Sequence, residues 1–133
     1  YGICFTKHTE IVLISTAGVE WNLPGGTIEE GENAQQALVR EVLEEACARV
    51  TEHEYLGCQK IEDLADPQGP RTIYQTRFWS RVEIDEFRPS FERKFRRLVS
   101  PEEFLSTLGW GTSPIAKVLL DKSLEIESGL LTR

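Results

Sequence analysis

The chain contains no methionine. With Tyr1 already inside an apolar stretch, "YGICF", the numbering is expected to begin within a longer chain, with the initiator and room for a first strand upstream. Cysteine is scarce: Cys4, Cys47 and Cys58 are odd in number, scattered and without the paired spacing of a thiolate metal site. Reduced thiols in a cytoplasmic protein are expected, not a disulfide framework. Long hydrophobic runs are missing as well. The longest, such as "IVLI" at 11–14, fall far short of the ~20 residues that cross a bilayer, and no secretion signal is visible. Positive charge is in deficit, with 15 Lys and Arg against 22 Asp and Glu and a net charge of −7. That balance opposes nucleic-acid binding, which rests on cations neutralising phosphates. A small anionic ligand stays compatible if local cations escort it. His8 and His53 stand in polar segments and are expected to be exposed bystanders.

What is present suffices for one globular domain over residues 1–133, since 40% of the residues are hydrophobic and a chain of this length can bury a sizeable core. "YGICF" and "EIVLIS" read as two strands joined by a polar turn, and Pro24, Gly25 and Gly26 break the pattern. Asn33 suits an N-cap, with a helix from Ala34 and Gln36 at the reciprocal position. "YLGCQKIED" and "RTIYQTRFWSRVE" read as strands around the turn-rich "ADPQGP", and "KFRRLV" as another. Ser100, Pro101 and Glu103 predict a second capped helix. Ser113 and Pro114 predict a third, running towards Ile126. This irregular alternation predicts a mixed sheet sandwiched by helices, an α/β (α+β) fold.

The first helix gathers Glu41, Glu44 and Glu45 near its C-terminal end, where the dipole is already negative and like charges a turn apart repel. At 100° per residue, Leu38, Val39, Val42 and Leu43 cover one broad side. The three acids lie within about 100° on the other, so the helix is expected to pack by the first and present acid on the second. A solvated acidic face is one explanation. The other is a hard cation: Mg²⁺ prefers oxygen ligands and is held by a few carboxylates plus substrate phosphates, which would offset the repulsion.

Spacing favours the cation. Gly26, five residues, Glu32, seven residues, Arg40-Glu41, an aliphatic Val42, any residue, and Glu44-Glu45 resembles the signature segment of the Nudix hydrolases. Six such identities at fixed spacing arise by chance on the order of a few times in 10⁸ per starting position. "WNLPGG" resembles the family's lead-in, and the order of elements is compatible with its α/β/α sandwich with a mixed β-sheet. The resemblance implies that Glu41, Glu44 and Glu45 hold the metal, Mg²⁺ or alternatively Mn²⁺, with the carbonyl of Gly26 or Gly25 nearby and Glu32 in support. It also implies that Arg40 ties loop to helix through acidic partners. The implied reaction is hydrolysis of a small nucleotide diphosphate.

Two departures qualify the likeness. Cys47 and Ala48 stand where the family has glycine and an aliphatic residue, and because a left-handed cap costs a non-glycine residue about 1 kcal/mol, the helix is expected to run on to Ala48 or Arg49. Ser15 and Thr16 stand where relatives often carry a basic residue that touches phosphate. Cys47 is expected to be packed, not nucleophilic.

For the acid that takes the proton of the attacking water, the resemblance implies either Glu41 or a late-loop acid. Glu92, ahead of "KFRRLV", is the best placed of the latter and is also a candidate metal ligand, whereas Glu83 and Glu86 are weaker. If "RTIYQTRFW" is one strand, Ile73, Gln75, Arg77 and Trp79 share a face, and Tyr74, Phe78 and Val82 the other. One face is core and the other lines a substrate pocket, with Arg77 or Arg71 meeting phosphate and Trp79, Trp21 or Trp110 offering a platform. The proline that marks many ADP-ribose hydrolases and the tyrosine of dinucleoside polyphosphate hydrolases are absent near Leu64 and Asp66, although Pro67 is close. Nucleoside triphosphates or analogues are therefore favoured over ADP-ribose and nucleotide sugars. A non-catalytic nucleotide-binding module is the rival of another class, and the sequence leaves a homodimer open.

Overall fold

The computed structural model describes residues 1–90 and 92–131. In chain order the elements are β1 (Gly2–Phe5), β2 (Ile11–Ser15), α1 (Ala34–Ala46), β3 (Ala48–Asp63), β4 (Arg71–Ile84), β5 (Phe95–Val99), α2 (Pro101–Thr107) and α3 (Pro114–Leu131). The strands form one mixed sheet in the order β3-β4-β1-β2-β5, parallel between β1 and β4 and antiparallel elsewhere. Alternation sends Ile3, Phe5, Ile11 and Leu13 to one face, against Phe104 of α2 and Leu119 and Leu120 of α3. Cys4, Val12 and Ile14 go to the other, against Leu38, Val42 and Ala46 of α1. Because both faces are covered, these strands read as continuous apolar runs. The expected α/β/α sandwich is the observed fold. No helix among the described residues is long and apolar enough to cross a membrane.

Local chemistry sets the helix starts. The Asn33 side chain accepts from the Gln36 N–H at 2.8 Å and Gln36 accepts in return from the Asn33 N–H at 2.9 Å. Ser100 and Glu103 repeat the exchange at α2, with Pro101 in its first turn. The ends are less local. α3 runs to Leu131, past Ile126. α1 stops at Ala46, short of the expected Ala48 or Arg49, because Cys47 itself takes the left-handed conformation at φ 51° and ψ 46°. Tertiary bonds offset that strain: the Cys47 carbonyl accepts from the Asp85 N–H at 3.0 Å, and Arg96 donates to the Ala46 carbonyl at 2.8 Å. β3 begins at the next residue, so the chain has no room for another helical turn.

The packed side of α1 also differs from the helical-wheel expectation. Leu38 and Val42 are buried, but Val39 and Leu43 are 41% and 49% exposed, whereas Glu45 is only 7% exposed. Glu45 follows Leu38 by seven residues, two turns, and shares its stripe. One metal-ligand candidate therefore belongs to the buried face.

Candidate active site

The loop after β2 requires glycine twice, once against Tyr1 and once against α1. A Cβ on Gly25, whose φ is +155°, would lie 2.4 Å from the backbone of Tyr1, and one on Gly26 would lie 2.6 Å from the Glu41 carboxyl carbon. The second contact places the loop backbone against the Glu41 carboxyl. Glu45 accepts a long hydrogen bond from the Gly25 N–H at 3.5 Å.

Arg40 fastens loop to helix. Its Nε and Nη2 donate to the two carboxylate oxygens of Glu32 at 3.1 and 2.7 Å, and Nη2 also to the Thr27 carbonyl at 3.1 Å. Its Nη1 donates to Glu41 at 2.6 Å and Glu44 at 3.3 Å. The paired bonds from Arg40 hold the Glu32 carboxyl below the usual range, helped by the Glu29 N–H. Among the described residues, no three acids, histidines or cysteines close on one point as a finished metal cage. Arg40 is the cation between Glu41 and Glu44.

Glu45 is different in kind. Burial raises its carboxyl to about 7, a shift that Arg93 opposes and that Glu41, hydrogen-bonded to it, reinforces. Arg93 reaches it from the loop before β5, Nε to Oε2 at 3.3 Å, while its Nη1 donates to Thr16 Oγ1 at 3.0 Å. The sequence reading named no role for Arg93. The only local signal was the lack of a basic residue at Ser15 and Thr16, the very end of β2 on which Arg93 rests.

Glu92 lies on the same loop, its carbonyl accepting from the Thr16 hydroxyl at 2.7 Å. It lines one open cavity of about 440 Å³ together with Glu29, Arg40, Glu41, Glu44 and Glu45. Glu83 and Glu86 do not line it; Glu83 pairs with Arg49 at 3.0 Å.

The substrate candidates separate. Trp79 lies on the face expected, but that face is core at this depth: Trp79 is 3% exposed and its indole N–H donates to Glu127 at 3.1 Å. Arg71 is an exposed residue at the far end of β4, 3.6 Å from Asp66. Neither lines the acid cavity. Arg77 is buried between Tyr1 and Trp110 and lines a second cavity, whereas Trp21 lies under Arg97. The two faces of β4 are thus both packed around Phe78 and Trp79; the stretch before them lines the Arg77 cavity, and Val82 to Ile84 beyond them line another away from the helix acids. His8 and His53 are exposed, as expected.

Comparison with known proteins gives the family. The family model described as "NUDIX domain" matches residues 2–120. A Bacillus subtilis (strain 168) protein, provisionally named 8-oxo-dGTP diphosphatase, is 43% identical over 44 residues, and the match spans 32% of this chain and 30% of that protein. The crystal structure of a mutant of the Bacillus subtilis pyrophosphohydrolase BsRppH superposes with a TM-score of 0.75 at 26% identity, covering 97% of this chain and 80% of that one. A C. elegans Ap4A hydrolase binary complex shares the fold, at a TM-score of 0.66 and 17% identity over 96% of each chain.

Proposed function

The chain belongs to the Nudix family of hydrolases, and from that premise we propose that it is a divalent-cation-dependent pyrophosphohydrolase cleaving the diphosphate bridge of a small nucleotide, a nucleoside triphosphate or close analogue before others. The observation that carries this reading is the convergence of Glu41, Glu44, Glu45 and Glu92 on one cavity around a cationic side chain. The family acts on small nucleotide diphosphate-type substrates, and the name of the Bacillus subtilis relative supports a triphosphate of this kind.

The residues fit a hard dication. All the side chains offered are carboxylates, and Gly26 brings its backbone to a distance from Glu41 that no side chain would permit. Glu41, Glu44 and Glu45, with the Gly26 carbonyl, would hold Mg²⁺ or Mn²⁺, which when bound supplies charge neutralisation at the phosphates and a more acidic water.

The rest is done by the chain. Arg40 keeps Glu41 and Glu44 gathered against their repulsion and anchors them to Glu32. Glu92, exposed at the mouth and not held by burial, is the acid we assign to take the proton of the attacking water. Arg93, between Glu45 and Thr16, is placed to meet a phosphate oxygen once a stronger cation takes over Glu45.

The test is a screen of nucleotides with Mg²⁺ or Mn²⁺, reading phosphate and pyrophosphate release. Turnover that rises towards alkaline pH and stops in excess chelator is expected. Turnover untouched by chelator, or none with any nucleotide, overturns the reading.

A further inference from the structure

Arg77 is 5% exposed, yet among the described residues it makes no ion pair with a carboxylate. Its guanidinium lies between two rings, 5.0 Å from the Tyr1 centroid and 5.1 Å from that of Trp110. Nε and Nη2 donate to Gln59 Oε1 at 3.2 and 2.9 Å, and Nη2 also to Gln75 Oε1 at 2.8 Å. These bonds leave the two N–H groups of Nη1 for the cavity of about 380 Å³ that Arg77 lines.

The amide oxygens around the cavity are largely engaged. Gln59 and Gln75 give their carbonyl oxygens to Arg77, and Asn22 gives its own to the Trp110 indole N–H at 2.9 Å and the Leu23 N–H at 2.7 Å. Gln59 and Asn22 are left with N–H donors, Gln75 keeps its N–H donors and one acceptor position, and Ser113 adds a hydroxyl. Each ring already gives one face to the guanidinium, which disfavours a stacked base. A buried cation without a counter-ion, among spare donors, is the arrangement that recognises an oxyanion.

We propose that this cavity binds a phosphoryl group on the part of the substrate remote from the scissile bridge, with Arg77 as the specificity-determining residue. The substrate class is then a nucleotide carrying a second phosphate on its ribose. This rests on the reading that the bridge is cut at the acid cavity. Tyr1 connects the two places: it lines the Arg77 cavity and a neighbouring one that includes Gly26 and Thr27, and Gly26 touches Glu41.

Titration calorimetry with inorganic phosphate and with a nucleoside 3′-monophosphate, both in chelator, tests the site without turnover. Arg77→Met is expected to weaken both by at least about tenfold, Glu86→Gln to leave both unchanged, and the neutral nucleoside to bind no more tightly to the parent than to Arg77→Met. Should Arg77→Met fold poorly, Gln75→Glu supplies a counter-ion inside the pocket and is expected to abolish phosphate binding with no loss of melting temperature. Kinetically, the preference for a 3′-phosphorylated triphosphate should collapse in Arg77→Met through KM, with kcat kept. Phosphate binding unaltered in Arg77→Met or Gln75→Glu overturns the proposal, as does a neutral nucleoside held as tightly as its monophosphate. If no nucleotide is turned over while phosphate binding still depends on Arg77, the hydrolase reading fails and the anion site stands.

Discussion

Arg93 Nε lies 3.3 Å from Glu45 Oε2, so a cation from the loop before β5 is paired with the buried acid of α1. The two are 48 positions apart in sequence, and Glu45 alone of the pair lines the acid cavity. Arg93 keeps 27% of its side chain exposed and Glu45 only 9%, so the acid is the partner that depends on the pairing.

Replacing Arg93 by Gln should therefore destabilise the metal-free protein at pH 8 by about 1 kcal/mol, discounted from the value for a fully buried pair by the exposure of the arginine. At pH 5, where Glu45 is protonated, the loss should nearly vanish. Thermal melts of parent and variant in chelator at the two pH values check this, and an equal loss at both would contradict it.

Glu45 itself sets a pH dependence. Its folded carboxyl titrates near 7 against 4.5 unperturbed, so its contribution to stability is complete below 4.5 and is lost as pH rises through 7. Metal-free protein should lose ~1–3 kcal/mol across that window, less than the full linkage value because Arg93 and Glu41 share the titration. Glu32, held low by Arg40, acts oppositely and loses its contribution only on further acidification. In Glu45→Gln the loss between 4.5 and 7 should flatten, leaving the variant at least as stable as the parent at pH 7.5. Turnover should fall 100-fold or more, and the rise in melting temperature with Mg²⁺ should shrink. A Mg²⁺ response equal to the parent's is the outcome that would remove Glu45 from the metal site.

Two acids flanking one loop separate position from composition. Glu92 lines the acid cavity and Glu86 does not. Glu92→Gln should slow turnover at least tenfold and Glu86→Gln should leave it within about twofold, with melting temperatures near the parent's because both side chains are exposed. Similar rates in the two variants would show that the proton goes elsewhere.

Cys47 offers a backbone test. Glycine relieves the left-handed strain, worth about 1 kcal/mol, but gives up the weak hydrogen bond that the thiol accepts from the Arg88 N–H at 3.3 Å. Alanine keeps the strain and loses the bond. Chemical denaturation should rank Cys47→Gly at or above the parent and Cys47→Ala below it, with about 1 kcal/mol between the variants. If alanine and glycine prove equal, the cap carries no strain.

What could be read from the sequence was what is decided within a few residues. The two capping boxes are written in Asn33 with Gln36 and in Ser100 with Glu103, and both form. The spacing from Gly26 to Glu45 identified the acid cavity for the same reason, since one loop and one helix supply most of it. What could not be read depends on partners far along the chain. Nothing near Cys47 announces that Asp85 will cap its carbonyl, and nothing near Arg93 announces Glu45. The burial of Glu45 lies between these cases. Its two-turn offset from Leu38 was visible, but grouping it by charge with Glu41 and Glu44 concealed the stripe it shares with the core. Trp79 was assigned to the correct face of β4, yet a sequence does not say where along a strand a face stops being pocket and becomes core.

The parallel pairing of β1 with β4 sets Gly2 beside Phe78, so the central strand of the sheet leaves the ribosome well before one of its two neighbours has been made. A nascent chain that has emerged only as far as residue 70 would carry α1 and every acid on it, with no β4 to complete the sheet beneath. Closing so long a loop is slow, and until it closes the apolar stripe of α1 and the inner strands are open to other chains. Substitutions in β4 should therefore be felt first as poor yield during synthesis, before any defect in the finished protein is measured.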